Sequence, residues 1–215
     1  MKKKLDILSI NPKWKTTTIK LVSEYVQRGK SPKYDEGINE YPVLNQKCIH
    51  WEKINYDHIK FLTKTFWDDL ENERFLQSGD ILWNSTGTGT IGRASIFFPN
   101  KIKKITADGH ITIIRTKKNY NPLFLFYYIA SPYVQTDIEI IFSGSTDQVE
   151  LNLPTIESTV IPDIDKKEQD KIVDKINDFY ENFYKVKGAL VEINEKKIKG
   201  KIEKLEKKFL LDIFK

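Results

Sequence analysis

The chain has 215 residues, 40% of them hydrophobic and 12% aromatic, which is enough to bury a core and argues against disorder along the whole length. Its 35 basic and 30 acidic residues leave a net charge of +5, a mild excess that permits a polyanionic partner without demanding one. No run of about 18 apolar residues could cross a bilayer, and the apolar stretch 5–10 is broken by Asp6 and Ser9 before Pro12, so a soluble, cytoplasmic protein without a membrane partner is expected.

Between residues 14 and 26, apolar side chains at Ile19, Val22 and Val26 predict a short strand or helix that closes before Arg28-Gly29. Residues 41–45 read as a short strand and 66–75 as a short helix or turn. The single Cys48 excludes an internal disulfide and is expected to be a buried or half-buried thiol. Gly79-Asp80 precedes the β-rich run Ile81-Leu82-Trp83-Asn84, and 95–98 reads as the returning strand, stopped by Pro99. The tip between them, 85–93, is polar and carries glycines for positive-φ turns. Residues 110–115 form a further strand with β-branched character. Pro122 then opens a buried helix that Ser131-Pro132 ends. Residues 143–148 make a second polar loop.

From Asp165 the pattern changes. Asp165-Lys166-Lys167-Glu168 matches a capping box in variant form, with the Asp165 carboxylate accepting from first-turn amides and Glu168 reaching back. Ile172, Ile176, Phe179, Phe183, Val186, Leu190 and Ile193 follow at spacings of 4, 3, 4, 3, 4 and 3, a heptad seam that must lie against another helix. Gly188 weakens that helix by about 1 kcal/mol relative to Ala, and Gly200 marks a break. Beyond it, Ile202, Leu205, Phe209, Leu210 and Ile213 form a second apolar face on which the tail can fold back as a hairpin. A tail packed on its own head is the plainer alternative. The expected fold is therefore α+β, a mixed α/β head over 1–164, followed by a long C-terminal helical coiled-coil arm over 165–215.

Gly87-Thr88-Gly89-Thr90-Ile91-Gly92 satisfies G-x-G-x-x-G, but only 93–98 separate it from Pro99, too few for the helix that would hold a pyrophosphate. No Gly-Lys-Ser/Thr closes a P-loop. Asn121-Pro122-Leu123-Phe124 resembles the Asn-Pro-Pro-Phe/Tyr loop of amino-methyltransferases but lacks the second Pro and a preceding Gly-rich cofactor turn, so it reads as a helix start. Asp163-Ile164-Asp165-Lys166-Lys167 has a sufficient role as a helix cap. His50, His58 and His110 are scattered and form neither a metal set nor a catalytic one. No enzyme and no cofactor are expected. The two polar loops offer contact chemistry instead: hydroxyls and glycine amides suit phosphate oxygens, and Arg and Gln suit base edges.

Three stretches together resemble the specificity subunit of type I restriction-modification systems. They are Trp14 followed by Leu21; Gly79-Asp80-Ile81-Leu82 with its Gly-rich turn; and Gly144-Ser145-Thr146, then 151–162, then Glu168-Gln169-Asp170-Lys171-Ile172-Val173. The resemblance covers nearly the whole chain. It implies a target recognition domain over 1–164 that reads one half of a split site in double-stranded DNA. It also implies a helical arm over 165–215 that spaces two such domains and docks the methyltransferase subunit, with the restriction subunit joining through the complex. Members commonly carry two recognition domains and two helical regions, whereas this chain has one of each, and the usual Pro-x-Pro appears here as Pro162-Asp163-Ile164. A half-length chain is expected to pair as a homodimer through Ile172, Ile176, Phe179, Phe183, Val186, Leu190 and Ile193. DNA contacts are expected from Gln46, Lys47, Ser85, Thr86, Thr88, Arg93, Ser145, Thr146 and Gln148. Two other readings stay open: a non-catalytic protein-interaction module with a helical oligomerisation arm, and a recognition domain fused to its own enzyme, which would need catalytic sequence this chain lacks.

Overall fold

In chain order the first elements are β1 (Lys15–Thr18), α1 (Ile19–Val22), β2 (Ser23–Arg28), β3 (Pro42–Leu44), β4 (Lys60–Phe61), α2 (Lys64–Asp68), β5 (Ile81–Asn84) and β6 (Ala94–Ile96). Then follow β7 (Thr106–Ala107), β8 (Ile111–Thr116), α3 (Pro122–Ala130), α4 (Pro132–Ser143), α5 (Leu153–Ser158), β9 (Val160–Asp163), α6 (Lys166–Leu190) and α7 (Glu195–Ile213). The computed structural model describes residues 11–35, 37, 39–51, 53–87, 89–99, 102, 104–143, 150–190 and 195–215, with the backbone alone at 137, 139–143, 184–190, 195–199 and 201. Among the described residues no helix is long and apolar enough to cross a membrane.

A four-stranded antiparallel sheet in the order β2-β8-β5-β6 forms the centre. Successive side chains of a strand point to opposite faces, and here both faces are covered. Ile81, Trp83 and Ile114 pack with α3 through Phe124, Leu125 and Tyr128. Leu82, Ile111 and Ile113 pack on the other side with Leu44, Cys48, Ile49 and Ala107. That is why β5 is buried throughout and shows no apolar-polar alternation. A smaller sheet, β4-β3-β7, with β3 and β7 parallel, lies on the second face. Beyond it Val43, Leu62, Leu70 and Phe75 make a third cluster, where Trp67 meets Phe75 edge-on at 4.8 Å.

The hairpin of β5 and β6 forms in the expected place, with Ile81 opposite Ile96 and Trp83 opposite Ala94. Asn121 caps α3 by accepting from the amides of Leu123 at 2.8 Å and Phe124 at 3.3 Å, and Pro122 occupies the first turn. β1 pairs antiparallel with β9, Lys15 opposite Asp163, so the start of the chain is tied to the segment that leads into α6.

The tail departs from expectation at one glycine. Gly200 lies inside α7 rather than at a break, and residues 191–194, between α6 and α7, lie outside the described residues. A glycine costs a helix about 1 kcal/mol, less than the packing of an apolar face returns, and α7 has such a face. Phe209 stacks on Phe179 at 3.9 Å, the Tyr180 hydroxyl donates to Glu206 at 2.6 Å, and Leu210 and Phe214 enter the core. Phe214 meets Phe124 and Tyr128 edge-on at 5.6 and 5.2 Å. At its own start α6 buries Ile172, Val173 and Ile176 in the same cluster. Residues from both sides of position 165 thus share one core at the base of a helical hairpin.

Asp165 caps α6 by accepting from the Glu168 amide at 3.0 Å, while the Glu168 side chain pairs with Lys171 rather than reaching back. Gln169, 1% exposed, accepts from the Asn121 amide at 2.7 Å and donates to the Ile164 carbonyl at 2.8 Å. The Asn121 amide group also donates to Asp170 at 2.6 Å. The Glu-Gln-Asp run therefore clamps the root of α6 to the start of α3.

Candidate functional site

The described contact residues of the first loop lie where the end of β5, the 3-10 turn Gln46–Cys48, the turn before β8 and residue Leu151 meet. Asn84 stands at the end of β5 and donates through its side chain to the Gln46 carbonyl at 3.0 Å and the Thr90 carbonyl at 3.2 Å, joining the loop to the short 3-10 turn Gln46–Cys48. Gln46 lies across the loop, with its side-chain carbonyl accepting from the Thr90 hydroxyl at 3.3 Å. That placement requires glycine at 87. Its φ is +105°, and a Cβ there would sit 1.8 Å from Gln46 Oε1. Lys47, next in the turn, is exposed, and Arg93 at the far end of the loop is half-exposed. Among the described residues the Arg93 guanidinium has no acceptor.

Ser85 departs from its expected role. It is fully buried, and its hydroxyl bonds to Thr112 Oγ1 at 2.5 Å and to the Trp83 carbonyl at 3.2 Å. Its amide donates to the His110 carbonyl at 2.9 Å and its carbonyl accepts from the Leu151 amide at 2.8 Å. Ser85 is thus a hub that holds the loop root and is withdrawn from the contact set. The sequence signal for this, a serine following the apolar run 81–83 and Asn84, is weak.

The second polar loop falls largely outside the described residues, and with it Ser145, Thr146 and Gln148; Thr88 lies outside them too. Both ends of the segment that carries that loop are nevertheless fixed on the first. At one end, Gln135 of α4 donates to the Gly92 carbonyl at 3.3 Å. At the other, Leu151 is bonded to Ser85, and Arg28 at the end of β2 donates to the Leu151 carbonyl at 2.9 Å while pairing with Glu150. The structure therefore ties Gln135 and Leu151, which flank the second loop in sequence, to the first loop.

Two residues not anticipated as site members also lie there. His110 precedes β8 and bonds Thr86 Oγ1 through Nδ1, and Arg28 holds Glu150 and Leu151. Asp108, 1% exposed, accepts from the His110 amide at 2.9 Å and the Tyr34 hydroxyl at 3.1 Å, and burial pushes its carboxyl above the usual carboxylate range. Cys48 is fully buried beneath the Gln46 turn, and burial pushes its thiol up to about 11, which fits a packing role.

Of the expected pairing residues, Ile172 and Ile176 are buried in the core of their own chain, and Phe179 is stacked on Phe209 and Phe183. Val186 and Leu190 lie on α6 where only the backbone is described, and Ile193 lies outside the described residues.

The Gly79-Asp80 motif has a structural explanation. Asp80 is fully buried and accepts from Arg115 Nε and Nη2, both at 2.8 Å, and from the Gln77 amide at 2.8 Å. Arg115 also donates to the Phe75 carbonyl at 3.2 Å, so the pair ties the 72–77 segment to the central sheet.

A family model described as "Type I restriction modification DNA specificity domain" matches residues 11–204. Among solved structures, the chain is similar to one described as the "structural basis underlying complex assembly and conformational transition of the type I R-M system", at 14% identity and a TM-score of 0.63, over 96% of this chain and 47% of that one. It is similar to the HsdS subunit from Thermoanaerobacter tengcongensis at 17% identity and a TM-score of 0.62, over 86% of this chain and 46% of that one. It is also similar to the type I restriction-modification S subunit from M. genitalium at 17% identity and a TM-score of 0.52, over 87% and 44% respectively. No curated protein sequence matches it. The chain spans about half the length of these solved structures, and at such identities the likeness is one of fold.

Proposed function

The chain belongs to the family of type I restriction-modification DNA specificity domains, and from that membership we propose that its head reads one half of an interrupted site in double-stranded DNA. What supports this reading is that the residues flanking the second polar loop are bonded to the first, through the Ser85–Leu151 and Gln135–Gly92 bonds, while Lys47 and Arg93 are exposed or half-exposed nearby. Phosphate contacts come from Lys47 and the loop amides and hydroxyls, and base readout from Gln46 and Arg93. Thr88, Ser145, Thr146 and Gln148, outside the described residues, are proposed as further contacts.

Chemistry belongs to separate subunits in this proposal: a methyltransferase subunit docks on the helical hairpin and a restriction subunit joins through the complex. The division into a recognition head, 1–164, and an arm, 165–215, is one of roles, since the two share a core. In this proposal two copies of this chain supply the two heads that a split site needs, related by a two-fold axis. Ile172 and Ile176 are already covered at the base, so pairing falls to the outer part of the hairpin, with Val186, Leu190 and Ile193.

Duplex binding across a salt series tests the reading. Counterion release gives a steep fall of affinity with salt, with a log-log slope near −0.9 per phosphate contact for a DNA reader. A flat dependence points to a protein-interaction module.

A further inference from the structure

We propose that His110 contacts the DNA duplex directly, donating from Nε2 to an acceptor on the nucleic acid, with Thr86 setting the orientation and tautomer of its ring. The inference rests on the DNA-reading role of the loop edge and adds to it a residue of the turn before β8.

The backbone of His110 is held from three directions. Its amide donates to the buried carboxylate of Asp108 at 2.9 Å, and its carbonyl accepts from the Ser85 amide at 2.9 Å. From behind, Gly29 presses on the turn so closely that a Cβ there would lie 2.1 Å from the Ala107 carbonyl oxygen and 2.2 Å from that of Asp108. The second oxygen of Asp108 is engaged by the Tyr34 hydroxyl at 3.1 Å, so the carboxylate cannot swing away to capture the ring. The side chain above this anchored backbone is exposed, and its Nδ1 lies 2.5 Å from Thr86 Oγ1 in the glycine loop. Among the described residues Nε2 has no partner.

That geometry leaves Nε2 as the outward nitrogen. In the proposed contact the Thr86 hydroxyl donates to Nδ1, so the neutral imidazole carries its proton on Nε2; when both nitrogens are protonated, Thr86 accepts and Nε2 still carries a proton. In both of these states the outer nitrogen is a donor, whereas the tautomer protonated on Nδ1 would make it an acceptor. Duplex DNA presents the matching acceptors, phosphate oxygens along the backbone and purine N7 in the major groove. A donor on a rigid turn, beside the loop that Gln46 and Thr90 shape, is placed to take one of them. Being held at both main chain and side chain, it loses little rotamer freedom on binding.

Two substitutions separate direct contact from mere support of Thr86. His110→Asn keeps a polar atom near the position of Nδ1 and removes the outer donor; His110→Gln keeps an amide donor near the position of Nε2 and removes the inner bond. The probes are a duplex carrying the motif that the wild-type full-length chain selects from a randomised pool and a scrambled duplex of equal composition. Direct contact lowers the affinity of His110→Asn by about tenfold and leaves His110→Gln within a factor of about two of wild type, with unchanged melting curves for both. A loss shared by both duplexes assigns the acceptor to phosphate, and a loss confined to the motif duplex, reproduced by 7-deazapurine substitution, assigns it to N7. Wild-type affinity in His110→Asn overturns the proposal, whether His110→Gln is weakened, which leaves a positioning role, or unchanged, which leaves none. Failure of the wild-type chain to bind either duplex above a dextran control sinks the DNA-reading role itself, and this inference with it.

Discussion

Arg115 and Asp80 meet inside the head as a two-pronged ion pair, Nε to Oδ1 and Nη2 to Oδ2 at 2.8 Å each, with Asp80 fully buried. Burial lifts the Asp80 carboxyl above its ordinary value against the pull of the Arg115 hydrogen bonds and the Gln77 amide. Removing one partner strands the other charge in the core. Arg115→Met or Asp80→Ala is expected to cost about 3 to 5 kcal/mol, read from urea unfolding midpoints. The double substitution is expected to cost less than the sum of the two, and additivity would show that the pair is not coupled.

The clamp at the root of α6 makes a smaller prediction. Gln169→Ala leaves the Asn121 amide and the Ile164 carbonyl without their partner in a buried setting and is expected to destabilise by about 1 to 3 kcal/mol. Hydrogen exchange should show faster opening at the start of α6 and α3, with the β5–β6 hairpin unaffected. Equal acceleration everywhere would mean that Gln169 supports the whole core rather than the junction.

Cys48 gives a pH dependence. Its thiol is raised by burial from 9.0 to about 11 in the fold. The folded value is the higher one, so the stabilising contribution is fully present below about pH 9 and is lost as pH rises through about 11. Cys48→Ala should remove that component from the alkaline stability profile. At pH 8 a disulfide reagent should modify the native thiol at least about 100-fold more slowly than the unfolded one, from the thiolate fraction alone. Equal rates would place Cys48 at the surface.

Much of this architecture is legible from local signals. Asn121-Pro122 announces α3 because a side-chain cap and a fixed φ act within one turn. The β5–β6 hairpin is announced by the turn chemistry on both sides of Trp83. What the sequence hides is non-local. The pairing of β1 with β9 joins Lys15 to Asp163, and no periodicity within either segment marks its mate. Gln46 is among the expected contacts, but its approach to Gly87 through the 3-10 turn is not marked locally, and Ser85 leaves the contact set only because Thr112 and Trp83 take its hydroxyl. Gly200 looks like a break from propensity alone, yet the face carrying Phe209 and Leu210 carries the helix through it.

The glycine at 87 links fold to recognition. In Gly87→Ala the new Cβ meets Gln46 Oε1 in a backbone conformation that L-residues seldom adopt, so Gln46 or the loop must move. A stability cost of about 1 to 2 kcal/mol is expected, together with weakened motif binding and little change in binding to a scrambled duplex. Equal losses on both duplexes would show that the loop positions phosphate contacts rather than base-reading groups.

Self-association is a further consequence of the proposed two-headed assembly. Light scattering of the full chain should give a dimer, and a charged substitution at Leu190 should dissociate it. A strict monomer at high concentration would remove the two-fold assembly and leave one head per complex.

The most direct measurement of the central claim is the base preference of the chain with and without the Arg93 guanidinium. In a strain carrying the methyltransferase subunit, the wild-type chain should direct methylation to one interrupted motif. Arg93→Ala should relax one position in each half of that motif, at a cost of about 1 to 3 kcal/mol in duplex affinity. A methylated motif identical in both strains, at equal affinity, would contradict the account.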